Sequence, residues 1–116
     1  MNTLATVSVC FVALLHGGFF LLESVLWKTP RVRRLFGQSE EEAEVTRVMA
    51  LNQGAYNLGA ALMLTVFMAL ENQQGVLGVL AFLAVMGCVG AATADRMILV
   101  VQSLPAVAAI ILVALS

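Results

Sequence analysis

Long apolar stretches dominate the chain, and they break at a few sharp points. Four of them, 4–27, 45–70, 75–94 and 97–115, approach or exceed the roughly 20 residues a helix needs to cross a bilayer. Only Glu71-Asn72-Gln73-Gln74 separates the second stretch from the third, and only Asp95-Arg96 the third from the fourth. Links this short force neighbouring helices to run antiparallel. The pattern predicts an all-α fold: a single domain, an integral membrane four-helix bundle with antiparallel neighbours. The first stretch is too long for a cleaved signal peptide, starts without Lys or Arg, and contains Glu23, so it reads as a span.

The one sizeable connection is 28–39. Pro30 disfavours helical geometry at Thr29 and so ends the first helix, and Gly37 breaks the chain again. Ser39 fits an N-cap, with Glu42 at the third helical position to complete a capping box. Glu40, Glu41 and Glu42 fall where the helix dipole favours negative charge. Helix two is therefore expected to begin near Glu40 in water and continue into the membrane, its acidic start serving as cap and solvated end. Trp27 is placed as an interfacial anchor. Pro105 is expected to kink the fourth helix and free a carbonyl near Gln102.

Composition sharpens the class. Hydrophobic residues make up 61% and charged residues 11% of 116 positions, against roughly 45–50% and 25% in soluble domains, and mean hydropathy is +0.98. A body this small could not hold that much apolar surface in water. With a formal charge of −1, the chain is excluded from the soluble globular, disordered and basic nucleic-acid-binding classes. No nucleic acid partner is expected; membrane lipid is. Lys28, Arg31, Arg33, Arg34 and Arg47 cluster around the first connection and Arg96 lies at the third, which is the same side of a four-span bundle. The other side has Glu71 and no basic residue. This bias predicts a multi-pass protein of the cell membrane with basic loops in the cytoplasm and both termini on the non-cytoplasmic side. Cys10 and Cys88 fall at different depths, which disfavours a disulfide, and both read as small buried apolar residues. No Cys/His spacing resembles a metal site, and a haem held through His16 would lack a second clear ligand, so neither metal nor cofactor is expected.

Polar residues at membrane depth are few and not scattered. His16, Phe20, Glu23 and Trp27 fall within a stripe roughly 60° wide on helix one. Glu23 lies about 6 Å inside Trp27, and His16 about 10 Å deeper. Gly17 and Gly18 beside His16 would let another backbone approach. Helix two carries Asn52-Gln53-Gly54-Ala55-Tyr56-Asn57, and helix four adds Gln102 at a depth similar to Asn52. An ionisable group in hydrocarbon costs several kcal/mol and is a functional candidate by default. The reading is a polar cavity in the cytoplasmic half, lined by His16, Glu23, Asn52, Gln53, Tyr56, Asn57 and Gln102, with Phe20 and Trp27 as aromatic walls. Glu23 and His16 are the candidate catalytic pair, and the other seven are candidate ligand-binding residues. Structural readings stand beside this one. The amides could serve as interhelical glue at about 0.6–2 kcal/mol each, Glu23 could snorkel to Lys28 or Arg31, His16 could be a satisfied core histidine, and Tyr56 could be a packing residue. On helix three Gly78, Ala84, Gly87 and Ala91 form a small-residue stripe suited to close packing.

His16-x3-Phe20-x2-Glu23-x3-Trp27-x-Thr29-Pro30, Phe36-Gly37, Asn52-Gln53-Gly54-Ala55-Tyr56-Asn57 and Gln102-Ser103-Leu104-Pro105 together span nearly the whole chain. This pattern resembles a family of small four-helix integral membrane proteins of bacteria and fungi, catalogued as a domain of unknown function. The resemblance implies a four-helix membrane fold and no transferable activity. Small multidrug exporters share the size and a glutamate in helix one, but not the rest of the pattern, and the basic bias opposes dual insertion. Sterol-isomerase-like membrane domains offer an analogy of chemistry, with buried Glu, His, Asn and Trp around a lipophilic substrate.

Three functions follow from these residues. The first is a membrane enzyme or binding protein for a small lipophilic ligand, with proton transfer through Glu23 and His16. The second is a proton-coupled small-molecule transporter acting as a homodimer, because four helices leave little room for a pathway; as a partner, a second or third copy of the chain (homodimer or homotrimer) is possible. The third is a structural or assembly subunit whose polar belt holds partner helices.

Overall fold

Apolar, helix-compatible runs become helices throughout. The computed structural model describes residues 1–116 and contains no strand. Helix α1 covers Thr3–Phe20, α2 Pro30–Phe36, α3 Glu40–Ala69, α4 Gln73–Thr93 and α5 Leu104–Ala114. Two π-helical turns interrupt the α geometry: Leu21–Val25 extends α1, and Leu99–Ser103 leads into α5. The helices Thr3–Val25 and Gln73–Thr93 are long and apolar enough to cross a membrane.

The boundaries have local chemical causes. At the start of α3 the Glu42 N–H donates to Ser39 Oγ (3.1 Å) while the Ser39 N–H donates to Glu42 Oε2 (2.7 Å), a closed capping box. Within the connection that the sequence marks only as a break, α2 forms. Thr29 is extended (φ −68°, ψ 148°), its Oγ1 accepts from the Val32 N–H, and Pro30 opens the helix where no N–H is needed. Gly37 ends it at φ 65°, ψ 32°, a left-handed conformation that glycine adopts at little cost. The Gln38 N–H then reaches the Arg33 carbonyl (2.9 Å) and the Gly37 N–H the Arg34 carbonyl (3.3 Å), closing a Schellman motif.

Each π turn is closed by an N–H reaching five residues back, from Leu26 to Leu21 and from Leu104 to Leu99. The second ends two residues before Pro105, which has no N–H to give.

The chain divides into two compact units, Met1–Leu14 with Ala60–Ser116, and Leu15–Gly59. The first is built on an apolar core. Ala5, Val9 and Val12 from α1, Ala60 and Leu64 from α3, Val76, Val79, Leu80 and Leu83 from α4, and Ala106, Ala109 and Val113 from α5 are buried together. Their spacings of three and four residues put each set on one helical face. Ser103 Oγ donates to the Ala84 carbonyl (2.9 Å), and Gln102 Nε2 to the Leu83 carbonyl (3.1 Å). Gly87 makes that approach possible, since a Cβ there would collide with Ser103. Gly78, the first member of the predicted small-residue stripe, has open space instead. Cys10 and Cys88 are free thiols, and Cys88 is exposed.

In the second unit α3 runs antiparallel to the end of α1 and its π turn, with α2 folded beside them. Val32, Ala43, Ala50, Gly54 and Asn57 are buried there. Large apolar side chains remain uncovered elsewhere, Leu14, Val45 and Met49 among them at 77%, 78% and 73% exposure. Apolar surface on this scale marks contact with lipid or other protein.

Candidate functional site

The second unit holds eight of the nine residues singled out from the sequence, and a ladder of polar contacts sets its register. Lys28 Nζ meets Glu44 Oε2 (2.7 Å), Trp27 Nε1 donates to Thr46 Oγ1 (3.1 Å), Ser24 Oγ donates to the Leu51 carbonyl (3.0 Å), and Asn57 Nδ2 donates to Glu23 Oε1 (2.7 Å). Positions fall on one strand of the ladder as they rise on the other. Gly54 sits at its tightest point, where a Cβ would collide with the Ser24 side chain and come within 3.0 Å of its backbone nitrogen. The close approach expected at Gly17 and Gly18 is absent, since a Cβ at either would meet nothing within 4 Å. Small size matters instead at Gly54, directly opposite the π turn.

That turn carries Glu23 toward α3. The carboxylate is half-buried and is met by the amide of Asn57, itself only 7% exposed. A cavity of about 130 Å³ adjoins it, lined by Glu23, Ser24, Val25, Trp27, Lys28, Arg47 and Leu51. The cavity is thus acidic on one side and basic at its rim, with apolar Val25 and Leu51 beside the indole. Arg47 and Lys28 share Glu44, the former at 3.5 Å.

The remaining candidates are distributed differently. His16 is fully buried, with its ring edge-on to Phe19 at 5.3 Å between centroids. About 10 Å of helical rise separates it from Glu23. Phe20 is half-buried at the last position of α1. Asn52 is exposed and donates to the Val48 carbonyl of its own helix (3.0 Å). Gln53 is exposed, and Tyr56 stands outward at 79% exposure. Gln102 belongs to the first unit, where its amide is committed to Leu83. Of the polar groups, Glu23 and Asn57 are joined, with Trp27 at the same cavity; Asn52, Gln53 and Tyr56 turn away from it. Five of the lining residues are not among the nine: Ser24 and Leu51, which fix the helix spacing, Val25 on the apolar side, and Lys28 and Arg47 at the rim. Ser24 could have been flagged as a polar neighbour of Glu23 on an apolar helix. A larger hollow of about 430 Å³ in the first unit, beside Phe67 and Glu71, contains none of the nine. No group of three or more His, Cys, Asp or Glu side chains is arranged to hold a metal ion.

A family model described as a protein of unknown function, DUF1304, matches residues 10–114. The chain belongs to the DUF1304 family. The match takes in every residue of this cavity, so in this DUF1304 chain the Glu23–Asn57 pair lies within the region that defines the family. No curated protein and no solved structure matches the chain.

Proposed function

We propose that this DUF1304 chain is a multi-pass integral membrane protein, a four-helix bundle with basic loops in the cytoplasm and both termini outside it. In this reading it binds or converts a small lipophilic molecule by proton transfer through Glu23 and His16. The observation that carries the reading is the Glu23–Asn57 pair beside a cavity that is charged at its rim and apolar along one wall. Cohesion alone does not require an acid there, because amides and serines hold the helices together elsewhere in the chain.

Size narrows the ligand. Pockets that enclose a whole drug-sized ligand measure about 300–1,000 Å³, whereas this one is about 130 Å³, room for roughly four waters at ~30 Å³ each. It admits a hydroxyl- or carbonyl-bearing polar end. The apolar remainder would extend past Val25 and Leu51 into lipid. Asn57 holds the carboxyl oriented toward the entering group, and Trp27 forms the aromatic wall.

The test is solvent extraction of the purified protein followed by mass spectrometry of what it retained. One lipophilic species should accompany the wild type and be lost from Glu23→Gln, with helicity unchanged. Identical extracts from both proteins would end this reading.

A further inference from the structure

Helix α2 has a chemistry that the pocket does not use. Its seven residues, Pro30–Phe36, divide cleanly around the axis. At about 100° per residue, Val32, Leu35 and Phe36 share an arc of roughly 100°, and Arg33, Arg34 and Arg31 fill the opposite side. Val32 is buried against the rest of the unit, while Leu35 is 67% and Phe36 47% exposed. The segment is ordered by its own caps: Thr29 and Pro30 at one end, the Gly37 Schellman turn at the other. Phe36 also packs on Trp27, 5.0 Å between ring centroids.

Its charge is uncompensated. The ion pairs of the chain are Lys28–Glu44 and Arg47–Glu44, so Glu44 occupies two cations and the three arginines of α2 have no carboxylate partner. Glu42 is engaged with the Ser39 N–H, and α2 itself has no acidic residue. A short basic helix that shows two large apolar side chains beside its cations fits a surface combining anionic phosphate with acyl chain.

We propose that α2 is an interfacial helix that binds anionic phospholipid headgroups through Arg31 and Arg34 while Leu35 and Phe36 insert among the acyl chains. The proposal rests on the membrane reading above. It adds a lipid site apart from the Glu23 cavity, with the anionic phospholipid as its ligand class. A cation held near an anionic membrane surface gains about fivefold in affinity, from about 1 kcal/mol per residue. Two arginines therefore set a ceiling of about 25-fold preference for anionic over zwitterionic lipid.

Trp27 is the only tryptophan in the chain and stacks on this helix, so its emission reports the lipid beside α2. The full-length protein is reconstituted into bilayers holding rising fractions of dibrominated phosphatidylglycerol or dibrominated phosphatidylcholine, whose bromines quench indole on contact. Phosphatidylglycerol is expected to quench at several-fold lower mole fraction. The preference should vanish in Arg31→Gln/Arg34→Gln, persist in Arg31→Lys/Arg34→Lys, and collapse in 1 M salt, where screening acts over about 3 Å. Equal quenching of the wild type by both lipids would overturn the lipid proposal and leave the membrane reading standing. No quenching by either lipid would place Trp27 outside the bilayer and overturn both.

Discussion

Two glycines on α3, five residues apart, make a matched test of the helix contact that positions Glu23. A Cβ added at Gly54 would collide with Ser24 and stand 3.0 Å from its backbone nitrogen, whereas one added at Gly59 meets nothing within 4 Å. Both substitutions, Gly54→Ala and Gly59→Ala, gain the same helix propensity, about 1 kcal/mol relative to glycine. That term cancels in the difference between them. What remains is overpacking at Gly54, about 1–3 kcal/mol. Rotating one side chain cannot relieve it, because the obstacle includes the Ser24 Cβ and backbone. The difference corresponds to roughly a 5- to 140-fold change in the unfolding equilibrium, at 1.4 kcal/mol per factor of ten. Denaturation of the purified protein in mixed micelles with increasing SDS, followed by far-ultraviolet circular dichroism and Trp27 emission, measures it directly. Gly59→Ala should match or exceed the wild type, and Gly54→Ala should fall below Gly59→Ala by that difference. Equal midpoints for the two variants would refute a tight contact between the π turn and α3, and with it the register that brings Asn57 to Glu23.

The same unfolding assay extends to the polar contacts. A double-mutant cycle with Glu23→Ala and Asn57→Ala should return a coupling between about 0.6 and 1.7 kcal/mol, the range for hydrogen bonds between membrane helices; a value indistinguishable from zero would mean the 2.7 Å contact does not persist. In the first turns of α3, the hydrogen bond from Lys28 and then its charge hold the Glu44 carboxyl below the ordinary carboxylate range. A folded-state value below the unfolded one means the contribution is complete above the ordinary range and is lost as pH falls through the folded value. A small loss of stability between about pH 5 and pH 3 should therefore shrink in Lys28→Met, and an unchanged pH profile in that variant would contradict the assignment.

What the sequence made legible follows from how local each signal is. The capping box at Ser39 and Glu42 and the end of the first helix near Thr29-Pro30 depend on residues three or four apart, and both can be read from composition. Helix α2 was missed because seven residues give too little periodicity to register, although its Thr cap, Pro opening and Gly ending were all present. The π turns leave no compositional trace, since an N–H reaching back five residues rather than four asks for no particular side chain. Orientation of the amide-rich segment was misjudged for another reason. Asn52, Gln53, Tyr56 and Asn57 span about 140° of a regular helix, an arc too wide to face one cavity. The small-residue line Ala43, Ala50, Gly54 marks the packed side, and of the four only Asn57 lies near it; Asn52 and Tyr56 point almost opposite.

The two π turns carry the same device, and the one difference between them isolates the acid. In each, a serine donates to a carbonyl on the adjacent helix three residues before a glycine: Ser24 to Leu51 with Gly54, and Ser103 to Ala84 with Gly87. In each, the residue before the serine is a long polar side chain. Gln102 brings its own donor and satisfies it on the Leu83 carbonyl, one residue before that of Ala84. Glu23 as a carboxylate has no donor, and the chain supplies Asn57 to meet it. Holding the helices together explains Gln102 completely and leaves the acid at position 23 unexplained. It also sets an expectation for Glu23→Gln: the introduced amide oxygen can still accept from Asn57. The variant should therefore keep its fold and its SDS midpoint, so that a lipophile lost from it is lost for want of a carboxyl rather than of a scaffold.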